Sequence, residues 1–358
     1  MNTKIKKILN KKELVKSDIV YLLCTDNPKE REEIRRYACQ KTKELYGNKI
    51  FLRGLIEFSN ICINDCYYCG IRKSNKLVKR YLLSKEDIIK IARFCAQKGF
   101  GSVVLQSGER QDEEFIEFVE DIVRTIKKET ITPKLPNGLG ITLCVGEQKE
   151  STYKRFFDAG AHRYLLRIET SSSDLFANLH PSNQKIQTRI KCLKTLKKIG
   201  FVVGTGVMIG LPFQKIEDLA EDILFFKKIN AKMIGMGPYI FHSQTPMNFY
   251  KETYLNKKKE IFDISLRMIA VTRIVLKNVN IAATTALQTM HPMGREYGLL
   301  HGANVVMPLV TPKKVRKDYQ LYDGKPCINE NSEECFKCIK QRIESVGKKI
   351  ALNEWGDN

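Results

Sequence analysis

No apolar run in this 358-residue chain approaches the ~18 residues that a membrane-spanning helix needs, so neither a spanning segment nor a membrane partner is expected. The lysine-rich start, Met1 to Lys16, is not followed by an apolar stretch with a small-residue cleavage site. That leaves no secretory signal to read, and a cytoplasmic location is the expectation. No internal repeat or low-complexity segment stands out either. Acidic residues are in short supply, 40 against 61 lysines and arginines, for a net charge of +21. The lysines are nevertheless spread along the chain, with no basic block and no aromatic-interleaved stripe. Nucleic acid is therefore not the expected partner, and a basic metal-stabilised RNA-binding protein is only the rival reading. A distributed positive field suits an acidic electron donor of ferredoxin or flavodoxin type.

A disulfide framework is also missing. Eleven cysteines is an odd number, and six of them fall in two tight groups, a pattern that argues for metal in a reducing compartment. Cys24, Cys39, Cys95, Cys144 and Cys192 stand singly in apolar contexts and read as free, buried thiols. The first group, Cys62-Ile63-Asn64-Asp65-Cys66-Tyr67-Tyr68-Cys69, follows the apolar run Phe51 to Phe58. Three thiolates is the informative count. Structural zinc takes four ligands, whereas three cysteines on a cubane iron-sulfur cluster leave one iron open to a small molecule. The second group, Cys327, Cys335 and Cys338, repeats the count as C-x7-C-x2-C, and a zinc site there would have to find a fourth group, His301 being the nearest histidine.

What is present along the rest of the chain is alternation. Residues 1–50 read as a helical extension, with Asn27-Pro28 as a start signal and Gly47 as a stop. Strand candidates then recur at Phe51–Phe58, Ser102–Gln106, Gly140–Val145, Arg163–Ile168, Phe201–Ile209, Lys232–Gly237, Asn280–Thr284 and Ala303–Met307. Amphipathic helical stretches lie between them, among them Lys85 to Lys98 behind a Ser84-x-x-Asp87 cap and Glu113 to Lys128. Eight such units predict an α/β fold, a complete (β/α)8 TIM barrel over residues 51–308, with a doubly wound open sheet as the alternative. Residues 309–358 lose the alternation and form an irregular C-terminal extension. In a TIM barrel the site lies at the C-terminal ends of the strands, where the first strand delivers the cysteine loop. Gly204, Gly206, Met208 and Gly210 alternate along strand five and predict an axial cavity.

The fourth strand carries a physical clue of its own. Alternation puts Arg163, Leu165, Arg167 and Glu169 on one face and Tyr164, Leu166 and Ile168 on the other. The apolar face must meet the helices, so the charged face points into the barrel. Buried guanidinium groups are costly without anionic partners. Glu169 is one acid, and the other strand candidates add mainly Glu57. An internal ion-pair network is the alternative to a carboxylate-bearing ligand clamped by Arg163 and Arg167.

Several linked segments resemble one family: Ile56-Glu57-Phe58-Ser59-Asn60, Leu105-Gln106-Ser107-Gly108-Glu109, Arg163 to Thr170, Gly210-Leu211-Pro212, Ala283-Thr284-Thr285-Ala286, Gly302 to Pro308 and Tyr319-Gln320-Leu321-Tyr322. With both cysteine groups they are similar to the HydE maturases of FeFe hydrogenase, radical S-adenosylmethionine (SAM) enzymes, over about residues 50–340. Methylornithine synthase shares the first loop but lacks the C-terminal triplet, and the ligand pattern of the sacrificial cluster of biotin synthase is not evident. The resemblance implies a 4Fe-4S cluster on Cys62, Cys66 and Cys69, with SAM held by Tyr68, Gln106, Ser107, Gly108, Glu169 and Arg189. It implies a substrate cavity lined by Thr142, Arg163, Arg167, Met233, Thr285, Met307 and Tyr319, and an accessory 2Fe-2S or 4Fe-4S cluster on Cys327, Cys335 and Cys338. The implied role is assembly of the dithiolate-bridged diiron part of the H-cluster from a small organometallic substrate, a cysteine-ligated iron carbonyl cyanide species, alongside other hydrogenase maturases.

Overall fold

The computed structural model describes residues 3–357; the first two residues of the helical extension and the last of the tail lie outside them. Strands β1 (Lys49–Ser59), β2 (Ser102–Ser107), β3 (Gly140–Cys144), β4 (Arg163–Leu165), β5 (Val202–Thr205), β6 (Met233–Ile234), β7 (Asn280–Ile281) and β8 (Val305–Val306) run parallel in the order β8-β1-β2-β3-β4-β5-β6-β7. Ala282 bridges Val305, and the Asn304 N–H donates to the Ile281 carbonyl at 3.0 Å. The ring is thereby closed, and all eight expected strands take part.

Each strand buries its outer side chains under helices. Tyr164 sets its ring edge-on to Tyr153 of the helix Glu150–Asp158 and to Phe201, at 5.1 and 5.7 Å. The helix Glu113–Glu129 covers the same layer with Phe115, Ile116, Val119, Ile122, Val123 and Ile126, and its start is fixed by Asp112, whose side chain accepts from the Phe115 N–H. At the N-terminus, Asn27 caps the helix Pro28–Tyr46 and Gly47 ends it at φ +61°, both as expected.

Register decides what lies inside. Arg53 is level with Ser102, Glu57 with Gln106, Gln106 with Cys144, and Thr142 with Arg163. The inner face is therefore polar where a barrel core is usually branched and apolar. Lower down, Arg53, Ser102, Thr142 and Arg163 are completely buried. Toward the C-terminal ends, Gln106, Cys144, Arg167, Thr284 and Met307 are only half-buried, so the interior is closed below and open above.

Three expectations change. β4 stops at Leu165; further on the chain turns through a left-handed backbone at Glu169 (φ +65°), which pairs again with Val207. The glycines of strand five do not leave an empty axis. A Cβ on Gly204 would meet the Met233 side chain at 2.4 Å, and one on Gly206 would meet the Gly235 carbonyl at 1.9 Å, so these glycines allow close packing of β5 on β6. The tail, expected to be irregular, contains the helix Ser332–Ser345 and strand β9 (Lys349–Ala351), which pairs with β1. It then runs beneath the barrel, where the Gly356 carbonyl accepts from Asn280 at 2.6 Å and Trp355 stacks on His162 at 4.5 Å. No helix among the described residues is long and apolar enough to cross a membrane.

Candidate functional site

The cysteine loop leaves β1 at the open end and is pinned by backbone bonds to four other segments. The Tyr67 N–H donates to Leu179, Ile63 to Glu109, Gly70 to Leu321, and Met247 donates to the Tyr67 carbonyl, at 2.9 to 3.1 Å. Gly108 is required beneath it, since a Cβ there would meet the Ile61 carbonyl at 2.3 Å and the Cys62 Cβ at 2.7 Å. Arg80 acts as a clamp without any acidic partner: its guanidinium donates to the carbonyls of Asn60, Ile71, Arg72 and Asn75 at 2.6 to 3.1 Å. Arg80→Met should leave those carbonyls unmatched and loosen the loop. By analogy with outer-sphere changes at metal sites, which cost about 10–100-fold in affinity, faster iron loss to a chelator is the expected result. Equal iron retention in mutant and wild type would refute it.

All three thiols are half-buried neighbours. Burial raises each thiol above its ordinary value. Cys66 is pushed up to about 12 despite Arg189, and Cys69 is pushed up further by the adjacent Cys66 and Cys62. Cys62 is raised as well, although its sulfur accepts backbone N–H groups from Asn64 and Glu109, both at 3.4 Å. Three crowded sulfurs, one of which already receives two N–H bonds, fit a group whose irons replace the thiol protons. Among the described residues no three His, Cys, Asp or Glu side chains converge as ligands of a single ion.

Against this loop the structure gathers most of the residues expected to hold SAM. Tyr68, Glu169 and Arg189 are charged or polar neighbours of Cys66. Burial works against the charge on Arg189, and Glu147, whose carboxylate accepts from it at 2.7 Å, more than offsets this. Gln106 donates to the Tyr319 hydroxyl at 3.1 Å, and Ser107 donates to the Gly108 carbonyl at 2.6 Å. Arg167 forks onto Glu169, with both nitrogens at 2.9 Å, and also donates to the Gly235 and Val207 carbonyls. Thr142 and Met233 face the interior, and Thr285 Oγ1 accepts from the buried Arg295.

Arg163 departs from expectation. Its guanidinium is completely buried at the bottom of the barrel, where Asp357 accepts from Nε at 2.5 Å and from Nη2 at 2.6 Å, while the Trp355 carbonyl and Ser102 take the remaining bonds. The counterion comes from the tail and not from a ligand. Glu57 is likewise engaged, by Lys325 at 2.5 and 2.6 Å. Arg53 was missed, although the same alternation, Arg53-x-Leu55-x-Glu57, places it inward. It is 0 % exposed; Nη1 reaches Met233 Sδ, while Nε and Nη2 have no partner. Burial and the nearby Arg163 oppose its charge. Thr142 Oγ1 is also buried without a partner.

The second cysteine group is not gathered to the same degree. Cys327 and Cys335 hydrogen-bond to each other, whereas Cys338 is exposed and its sulfur accepts from Arg342 at 3.4 Å. A cleft of about 730 Å³ lies outside the barrel and is lined by Pro212, Phe213, Tyr250 and Arg267 among others. It touches none of these groups.

Residues 56–226 match the Radical SAM superfamily. The chain is 41% identical over 326 residues, 91% of its length and 88% of the relative's, to the FeFe hydrogenase maturase subunit HydE of Thermotoga maritima. It is 25% identical over 347 residues to 3-methylornithine synthase of Methanosarcina acetivorans, covering 96% of this chain and 93% of that protein. The crystal structure of methylornithine synthase superposes with a TM-score of 0.80 at 24% identity, covering 98% of this chain and 97% of that one, which bears out the barrel. A cysteine loop suited to an open cubane, the acid and arginines behind it, and this degree of identity agree: the chain belongs to the HydE family of radical SAM hydrogenase maturases.

Proposed function

We propose that this maturase acts on a carboxylate- and sulfur-bearing substrate, a cysteine-iron species, inside the barrel, in assembly of the dithiolate-bridged diiron part of the H-cluster. When bound on Cys62, Cys66 and Cys69, the 4Fe-4S cluster supplies the electron that cleaves SAM to methionine and a 5′-deoxyadenosyl radical. Tyr68, Gln106, Ser107, Gly108, Glu169 and Arg189 hold SAM against the loop. Thr142, Arg167, Met233, Thr285, Met307 and Tyr319 face the substrate, joined by Arg53 in the place first given to Arg163. The closed floor keeps water and solvent reductants from the reacting centre. Cys327, Cys335 and Cys338 hold an accessory cluster. Lys73, Lys76 and Lys79, exposed just beyond the cysteine loop, meet an acidic electron donor of ferredoxin or flavodoxin type.

One observation carries the substrate class: a completely buried guanidinium with two unpartnered nitrogens in the barrel interior. Such a cation is costly unless an anion reaches it. The test is calorimetric titration of the reconstituted protein with free cysteine as the probe, in wild type and Arg53→Met. Losing a charged hydrogen bond of about 1.5–3 kcal/mol should weaken binding roughly 10–100-fold. Without ligand the methionine variant should melt no lower, because removing an unpaired buried charge is often neutral or stabilising. Equal affinity in the two proteins rules out the interior arginine as the carboxylate's partner.

A further inference from the structure

Cys144 differs from the other single cysteines. It ends β3, two residues after Thr142, and so shares its inward face, level with Gln106 of β2. Its strand neighbours Ile141 and Leu143 are packed in the helix-covered core on the opposite side. Cys144 is half-buried, and the surface it keeps opens onto the upper interior, where Arg167, Glu169 and Arg189 are its charged neighbours. No polar group among the described residues hydrogen-bonds its sulfur.

Unpartnered polar atoms lie below Cys144 in the same interior. Thr142 Oγ1, completely buried and one step lower on the same strand face, has no partner, and neither do Arg53 Nε and Nη2. Burial without a hydrogen bond is unfavourable for each of these groups, and a polar ligand that satisfied them would lie beneath Cys144. Burial also pushes the Cys144 thiol up to about 12, with Arg167 opposing, so at neutral pH the sulfur carries its hydrogen. An S–H bond is weaker than the primary C–H bond formed when a 5′-deoxyadenosyl radical abstracts hydrogen. A radical released between the cysteine loop and this wall moves downhill by taking it.

We propose that Cys144 is a hydrogen-atom donor to the 5′-deoxyadenosyl radical, used when no substrate covers the β3 wall. The proposal rests on the radical SAM reading above. In the step, the S–H bond of Cys144 breaks and a C5′–H bond forms, giving 5′-deoxyadenosine and a sulfur-centred radical. One electron from the reductant that loads the cluster and one solvent proton restore the thiol. The radical thus ends on a reducible sulfur instead of on a backbone carbon, which keeps turnover without substrate from damaging the chain.

The test uses the reconstituted enzyme with SAM and dithionite in deuterated water, without substrate. Thiol hydrogens exchange with solvent and carbon-bound ones do not. Wild type should yield monodeuterated 5′-deoxyadenosine, and Cys144→Ser, whose O–H bond is too strong to give up its hydrogen, should yield unlabelled product. Cys144→Ala should behave like the serine variant. A second readout is independent of turnover: iodoacetamide at about pH 9, where a small part of this raised thiol is ionised, should alkylate Cys144 slowly in the reconstituted protein, and SAM should slow that alkylation further, as read by peptide mass spectrometry. Label that persists in both variants, unlabelled wild-type product, or alkylation indifferent to SAM would overturn the proposal. No 5′-deoxyadenosine from wild type would instead count against the radical SAM reading itself.

Discussion

Cys66→Ala should be purified with at most the weaker colour of a cluster on the second cysteine group, and should form no 5′-deoxyadenosine from SAM and dithionite above the background of the reductant alone. A cubane held by three thiolates has one open iron, and that opening is what allows SAM to bind; two thiolates cannot retain the cubane. Cys66 occupies the middle of the loop, between Gln184, which its thiol meets at 3.6 Å, and Arg189. The fold should survive the change, because the loop's backbone bonds to Leu179, Glu109, Leu321 and Met247 do not involve this side chain. Melting within a few degrees of wild type, together with loss of the loop cluster's four irons and of SAM cleavage, is the expected outcome, with any iron that remains held by Cys327, Cys335 and Cys338. Cys95→Ala is the control: that thiol lies in the core against Gly54, remote from the loop, and should leave the iron content unchanged. A colourless wild type with stoichiometric zinc, or a Cys66→Ala protein that still cleaves SAM, would remove the basis of the cluster assignment.

Much of this was legible in the sequence because local rules and the global fold coincide. Eight β-rich runs alternating with capped amphipathic stretches leave few architectures, and the strands fall where period-2 patterning puts them. Boundaries were less legible. Arg163 to Ile168 reads as one strand, but the regular ladder ends at Leu165, and Glu169 beyond it adopts φ +65° while its N–H donates to the Gly206 carbonyl. The inward direction of Arg163 was correctly inferred, and its partner was not. Counting acids on the strands could not reveal Asp357, which arrives from some 190 positions later in the chain, separated by 194 residues. Arg53 was within reach of the same alternation argument on β1. The tail also carried a signal: Asn331 and Glu334 form a capping box, each side chain accepting the other's N–H at 2.9 and 2.7 Å, and so mark the helix Ser332–Ser345. What no local rule supplies is which end of the barrel such a tail will cover.

Asp357→Ala should be the most destabilising single change at the floor of the barrel. It leaves Arg163, 0 % exposed, without its counterion, beside an Arg53 that already lacks one. Breaking a buried pair from one side costs about 3–5 kcal/mol, on the order of 5–10 °C in melting temperature for a chain of this size. Removing both partners in Asp357→Ala with Arg163→Met should recover most of that loss, because the penalty is the stranded charge more than the missing bond. The pH profile follows. Burial would raise the Asp357 carboxyl, but His162 and Arg163 more than offset it and hold it well below its ordinary value of 3.8. Its contribution is therefore full above about pH 4 and is lost as pH falls through the depressed folded value. His162, lowered from 6.5 to about 4 by burial, acts earlier: the unfolded chain takes up that proton first, so stability declines already between pH 6.5 and 4. Asp357→Asn should abolish the lower step and deepen the upper one, because the Asp357 charge is what props the His162 value up against burial. The floor should also become an anion site in Asp357→Ala, so that phosphate raises its melting temperature in a saturating manner by binding only the folded state, while wild type, with the site filled by its own carboxylate, gains little. An Asp357→Ala protein as stable as wild type and equally indifferent to phosphate would mean that the tail's ion pair does nothing to hold the barrel closed.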